Sequence, residues 1–251
     1  MTALPGADIG GYVLAGGKSS RMGSDKALLE LAGKPLILHA VTKLHRVCAD
    51  VHILSNRPEL AAYAPLVKDL HAGCGPIGGI EAALEHSPHE WNLFLPVDMP
   101  FLPTSFLTFW AVHIASQSAR GFRLALFTVF GTPQPLFCML HRDVAWFVRE
   151  AIECGEYKVL PVLERAGRGL AEVEGLPLSQ VFCNPSWSGE STFCASYEGT
   201  GVGDHEPFDK PTEAQQMVKH LWFANLNTLE EFAEAEKHLD ALDSSDDNHC
   251  K

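Results

Sequence analysis

The chain has 251 residues, 46% of them hydrophobic and 20% charged, enough to bury one large core. A formal net charge of −12 argues against nucleic acid as a partner, because affinity for a polyanion comes from basic side chains that replace its counterions. No run approaches the roughly eighteen uncharged apolar residues that cross a bilayer, and residues 1–8 have neither a basic start nor an apolar stretch. No membrane partner and a cytoplasmic location are therefore expected. The seven cysteines are odd in number, scattered and free of C-x-x-C pairs, which predicts reduced thiols rather than a disulfide framework or a zinc site. The charge is uneven: residues 1–47 hold six bases and three acids, a balance that suits a small phosphorylated ligand.

Taken in chain order, Gly11-Tyr-Val-Leu-Ala15 is a short apolar run that predicts a buried parallel strand opening into a loop at Gly16-Gly17. Residues 50–55 and 91–97 predict two further strands, and 35–45 and 79–86 the helices between them. This alternation predicts an α/β fold of three layers, a mostly parallel sheet with helices on both faces. In such sheets ligands bind at the C-terminal ends of the strands, so the loops after Ala15, Ser55 and Val97 should share that edge. Residues 103–116 predict a helix, and 123–129 with 136–141 a hairpin joined through Gly131-Thr-Pro-Gln134. Residues 143–154 predict an amphipathic helix capped by Asp143 and ended by Gly155. The stretch 176–216 has no sustained period and predicts a loop-like insertion. A strand over 218–224 and a helix over 228–242, with Phe232, Ala235 and Leu239 on one face, complete a single domain spanning 1–242. The polar tail 243–251 is expected to be disordered.

The segment with most chemical content is Leu14-Ala-Gly-Gly-Lys-Ser-Ser-Arg-Met-Gly-Ser-Asp-Lys26. Glycines let backbone N–H groups approach a phosphate chain, and Lys and Arg neutralise its charge. It is not a Walker loop, since Tyr12 stands where the first glycine belongs, and it does not match G-x-G-x-x-G. Two other matches fail on context. His141-Arg-Asp143 has Val148 where a kinase catalytic loop needs Asn, and Gly199-Thr-Gly-Val-Gly203 follows no strand. The twelve histidines show no H-E-x-x-H spacing.

This first block resembles the N-terminal signature of the molybdenum cofactor guanylyltransferases, part of the wider group of nucleotidyltransferases with a nucleotide-diphospho-sugar-transferase-like fold. Leu54-Ser-Asn-Arg57, Asp69, Gly75-Pro-Ile-Gly-Gly79, Leu95-Pro-Val-Asp-Met-Pro100 and Phe223-Ala-Asn-Leu-Asn-Thr228 follow in the family's order. Together the blocks span residues 10–240 apart from 176–216. The resemblance implies transfer of GMP from GTP to molybdopterin with release of pyrophosphate. It further implies Mg2+ as cofactor, GTP and molybdopterin as partners, and proteins of molybdoenzyme maturation as recipients of the product.

By the same resemblance Leu14, Ala15, Gly16, Gly17, Asn56 and Asp69 surround the guanine and its ribose, and Lys26 reaches the phosphates. Lys26, Arg21 and Asp98 are the expected catalytic residues. Asp98 follows an apolar strand, where an acid is often only a turn former; in the Val-Asp-Met-Pro context the resemblance makes it the metal ligand. Guanine presents N1–H and N2–H₂ donors that a carboxylate at Asp69 can accept, a solvated acid being the alternative. Asn225 and Asn227 match a late Asn pair near the metal or the acceptor phosphate. Gln134, Tyr157 and Lys158 fall where the family binds its pterin. Tyr157 could stack on the pterin and Lys158 meet its phosphate, or both could be surface residues. Where the family commonly has Pro after Asn-Thr this chain has Leu229, which should alter a helix start rather than the chemistry.

Three other readings compete. Cytidylyl transfer to the same cofactor goes more often with Leu-Ala-Ala-Gly than with Leu14-Ala-Gly-Gly17, which favours GTP. Another NTP-dependent nucleotidyltransferase acting on a phosphorylated small molecule is weakened by the Asn225-Leu-Asn227-Thr228 block. A catalytically idle binding protein has no need of both Lys26 and Asp98.

Overall fold

The computed structural model describes residues 6–16, 25–189 and 210–243. In order these form β1 (Gly6–Leu14), β2 (Glu30–Leu31), β3 (Lys34–Pro35), α1 (Leu36–His45), β4 (Cys48–Leu54), β5 (Leu66–Val67), α2 (Pro76–His86), β6 (Trp91–Pro96), α3 (Thr104–Ser116), β7 (Leu124–Val129), β8 (Thr132–His141), α4 (Ala145–Glu153), α5 (Val159–Glu174), α6 (Leu178–Val181), β9 (Phe182–Cys183), β10 (Ser186–Trp187), α7 (Glu213–Met217) and α8 (Leu229–Ala235). The main sheet has the order β10-β7-β8-β6-β1-β4-β5, with β9 also paired to β7. Its pairings are parallel except those of β8, which runs antiparallel to both β6 and β7.

Strand alternation divides the sheet's side chains between two cores. Ile9, Val13, Leu93, Leu95, Phe127, Phe137 and Met139 point into a core shared with α1 and α3. Tyr12, Phe94, Leu124, Leu126, Cys138 and Leu140 point into a second core shared with α2, α4 and α5. The expected three layers with a mostly parallel sheet are therefore present, and each face is covered.

Several boundaries and elements differ from the sequence reading. The β7–β8 connection is only Phe130-Gly131, both at positive φ (46° and 78°), a tight turn of the primed kind that matches strand twist. Thr132 to Gln134, expected in the turn, are therefore strand. The helix of residues 143–154 is not capped by Asp143. A 3-10 turn over Arg142–Val144 precedes it, and His141 accepts from the Asp143 backbone N–H. The Asp143 carboxylate is engaged instead by Arg123. No predicted element covers α5, although Val159, Val162, Leu163, Ala166 and Leu170 recur at helical spacing and are buried there.

The supposed insertion 176–216 contributes α6, β9 and β10 to the sheet edge, and α7, whose Thr212–Gln215 capping box closes its first turn. Two-residue strands have no period to read, which is why composition suggested a loop; residues 190–209 lie outside the described residues. Residues 218–224 are not a strand. They pass through a 3-10 turn, Lys219–Leu221, and plant Trp222 and Phe223 beside Phe106 and Trp187. A short apolar run records burial without specifying extension.

The last helix stops at Ala235. A kinked 3-10 segment, Glu236–Ala241, follows, so Ala241 is buried while Leu239 is 39% exposed and off the expected face. Asp243, expected in a disordered tail, accepts hydrogen bonds from Thr104 and Gln215 and pairs with buried Lys43. Residues 244–251 lie outside the described residues.

Candidate active site

Parallel pairing of β1 with β4 and β6 brings Ala15, Ser55 and Val97 to one edge, the C-terminal one. β5, parallel to β4, delivers Asp69 there. Because β8 is antiparallel to β6, its early residues Gln134 to Leu136 reach the same edge. Together these surround a cleft of about 1010 Å³, lined also by Lys26, Gly75, Gly79, Asn225 and Asn227.

On the β4–β5 side, Asn56 and Asp69 hold one another. The Asn56 amide donates to Asp69 Oδ2 at 2.9 Å, and the Asp69 backbone N–H donates to Asn56 Oδ1 at 3.2 Å. This reciprocal pair leaves Asp69 Oδ1 without a hydrogen bond to Asn56. Gly75 precedes α2 at φ 67°, ψ −153°, a conformation essentially confined to glycine, and α2 begins at Pro76 against the cleft.

On the β6 side, Asp98 Oδ2 accepts from Lys26 Nζ at 2.5 Å, and the same ammonium donates to Asn227 Oδ1, also at 2.5 Å. Lys26 and Asp98 are both mostly buried, with 16% side-chain exposure each. Asp98 Oδ1 is buried without a hydrogen-bond partner. Backbone hydrogen bonding explains why residues over 120 positions later arrive here: the Leu226 N–H donates to the Asp98 carbonyl, and Leu226 is buried. Thr228 and Glu231 then form a capping box at the start of α8, with Glu231 also accepting from the Asn227 N–H. The helix begins at Leu229 with this box, so the missing proline costs it no start signal.

The structure thus gathers Leu14, Ala15, Gly16, Lys26, Asn56, Asp69, Asp98, Gln134, Asn225 and Asn227 around one cleft. It does not gather Tyr157 and Lys158, which are exposed between α4 and α5 and do not line it. Resemblance alone suggested them; in the turn between α4 and α5 both side chains are exposed. Gly17 and Arg21 lie outside the described residues. Two residues given no separate role by the sequence reading, Asp25 and Arg57, also line the cleft. Arg57 stands three residues past the end of β4, a position that could have marked it.

Chemically, the described residues of the cleft offer the Lys26 ammonium and the Arg57 guanidinium, the Asp98 carboxylate with a free oxygen, and the amides of Asn56, Gln134, Asn225 and Asn227, beside backbone N–H groups at a helix start. The unpartnered Asp98 Oδ1 fits a hard divalent cation, which takes oxygen ligands and needs only one or two carboxylates when phosphates complete its shell. No helix among the described residues is long and apolar enough to cross a membrane.

Residues 11–185 match the family described as "MobA-like NTP transferase domain". The molybdenum cofactor guanylyltransferase of Serratia proteamaculans is 33% identical over 167 residues, 64% of this chain and 81% of that protein. The probable molybdenum cofactor guanylyltransferase of Flavobacterium johnsoniae is 30% identical over 165 residues, 65% and 84% respectively. The crystal structure of molybdopterin-guanine dinucleotide biosynthesis protein A from Archaeoglobus fulgidus is similar in fold, with a TM-score of 0.64 and 22% identity over 93% of this chain and 100% of that one. The architecture is the nucleotide-diphospho-sugar-transferase-like fold. With most of its length matched and that fold confirmed, the chain belongs to the MobA-like NTP transferase family and is a nucleotidyltransferase.

Proposed function

We propose that this nucleotidyltransferase moves GMP from GTP to molybdopterin, releasing pyrophosphate and leaving the guanine dinucleotide form of the cofactor. The observation that carries the reading is the division of the cleft: an Asn56–Asp69 pair on one side and Lys26, Asp98 and Asn227 on the other. Three strand spacings separate β5 from β6, about 14 Å, enough to seat a base at one end and its phosphates at the other. The relatives named for guanylyl transfer to the molybdenum cofactor support the choice of substrates.

In the reaction an oxygen of the acceptor phosphate attacks the α-phosphorus of GTP, and the bond to pyrophosphate breaks. Lys26 neutralises charge that grows on the phosphates, and Asn225 and Asn227 orient the acceptor phosphate beside it. Gln134, on the β8 side of the cleft, faces the acceptor. Asp98, through its unpartnered Oδ1, would hold Mg2+, which supplies further positive charge to the phosphate oxygens. Asp69 accepts from guanine N1–H and N2–H₂, and its Oδ2 keeps a second lone pair free while Asn56 occupies the first. The same reading places the enzyme in the cytoplasm and its product with molybdoenzyme maturation proteins.

The test is competition among radiolabelled GTP, CTP and ATP at equal concentration, with molybdopterin as acceptor. ATP lacks both donors and turns an acceptor nitrogen toward Asp69, so discrimination of about 10⁴ is expected against it. CTP should be rejected less strongly. Incorporation of CMP as readily as GMP would replace the guanylyl reading with the cytidylyl one. Failure to use molybdopterin with any nucleotide would leave only another phosphorylated acceptor.

A further inference from the structure

We infer that Arg57 is a positioning residue: its guanidinium joins the two ends of the glycine-rich loop and thereby sets Lys26. One terminal nitrogen donates to the Ala15 carbonyl at 2.7 Å, at the point where β1 gives way to the loop. The other pairs with Asp25 Oδ2, where the chain leaves the loop. Asp25 Oδ1 in turn accepts from the Ala27 N–H at 3.0 Å and caps the 3-10 turn Lys26–Leu28. Lys26 is the first residue of that turn, and its ammonium meets Asp98 and Asn227.

The anchor of this clamp is β4. Ser55, 3% exposed, accepts from both the Arg57 backbone N–H and its Nε, so the guanidinium is held from its own stem as well as from its tip. A planar fork with fixed N–H directions can meet a carbonyl and a carboxylate at once. A lysine ammonium, a point charge on a flexible stem, loses more freedom in doing so. The loop-end carbonyl and the turn-capping carboxylate are 10 residues apart in sequence but share one cation. Fixing both ends narrows the positions open to Lys26 without any contact between Arg57 and Lys26 themselves. Misplacement of a reacting group by about 1 Å can cost about 10²-fold in rate, so such a clamp has kinetic weight.

The catalytic half of this inference rests on the reading of Lys26 given above, so two measurements are needed. The first is independent of substrate. In the ligand-free protein with ¹³C-methylated lysines, the Lys26 signal is identified by its loss in Lys26→Arg. Arg57→Ala and Asp25→Asn should each shift or broaden that signal, and Arg57→Lys should restore it in part. A Lys26 signal unchanged in Arg57→Ala overturns the clamp.

The second is a double-mutant cycle on GMP transfer. Arg57→Ala alone should lower kcat by about 10- to 100-fold. In a Lys26→Ala background it should cost less than about threefold, because no ammonium remains to be placed. Losses that multiply in full would make Arg57 an independent substrate contact and overturn the positioning role. If Lys26→Ala is itself without effect, the catalytic reading of Lys26 fails, and the methyl signal still decides whether Arg57 sets that side chain.

Discussion

Gly16→Ala is a perturbation whose cost can be located before it is made. Among the described residues a methyl built on Gly16 meets nothing nearer than the Leu54 carbonyl at 3.8 Å, and Gly16 is not among the positive-φ glycines. The methyl therefore displaces no atom of the described residues and does not strain the backbone. By restricting the unfolded chain the substitution should even stabilise by about 0.4–1 kcal/mol. Any loss of function must then come from the cleft that Gly16 lines.

A purine seated against this position meets one methyl too many, and overpacking of that size costs about 1–3 kcal/mol, or about 5- to 150-fold in kcat/KM for GTP. A pyrimidine, with one ring fewer, should lose far less. The GTP-to-CTP ratio in the competition assay should fall by about tenfold or more, with an unchanged or raised melting temperature as the control. A variant with wild-type kcat/KM for both nucleotides would show that Gly16 does not face the base. An equal loss for both would move its contact to the shared phosphates and refute the specificity argument.

Asp98→Asn removes charge at nearly constant volume. It should leave the melting temperature close to wild type while cutting turnover by about 10²- to 10³-fold, and a near wild-type rate in limiting Mg2+ would remove Asp98 from the metal. Lys26→Ala should raise KM for GTP and also lower kcat, since a phosphate contact aids both binding and the developing charge; unchanged steady-state constants would refute it. Asp243 supplies a test of stability. Burial alone would raise its pKa, but the Lys43 ammonium and the hydrogen bonds from Thr104 outweigh this and hold the carboxyl below its ordinary value. A lowered folded pKa means that its contribution is complete above the unfolded value and is lost as pH falls through the folded one. Asp243→Asn should therefore destabilise by about 3 kcal/mol at neutral pH, leaving Lys43 buried without its partner, and the deficit should shrink below about pH 4 in urea melts. A deficit independent of pH would assign the loss to packing.

Periodicity and punctuation in the chain determined the alternation of strand and helix, hence a mostly parallel sheet and the edge at which a ligand binds. β1 and β6 carry apolar runs, Tyr12 to Leu14 and Leu93 to Leu95, legible because strands buried on both faces need them, β4 alternates Val51 and Ile53 with Asp50 and His52, and the loops after the three hold Gly16, Asn56 and Asp98. The glycine and lysine content of the first loop pointed to phosphate for an equally local reason. What the chain could not declare was pairing. The antiparallel insertion of β8 between β6 and β7 carries Gln134 to the cleft, while Tyr157 and Lys158 stand exposed in the turn between α4 and α5. Two-residue strands such as β9 and β10 exist only because β7 offers a free edge, and residues 218–224 are buried without being extended because aromatic packing around Phe106 selects their path. Asp25 and Arg57 stand in two of the legible blocks, but nothing in the chain pairs them. Only when β4 lies beside β1 do one guanidinium, one carbonyl and one carboxylate come within reach, since an interaction that depends on direction and distance across 32 residues has no local signature.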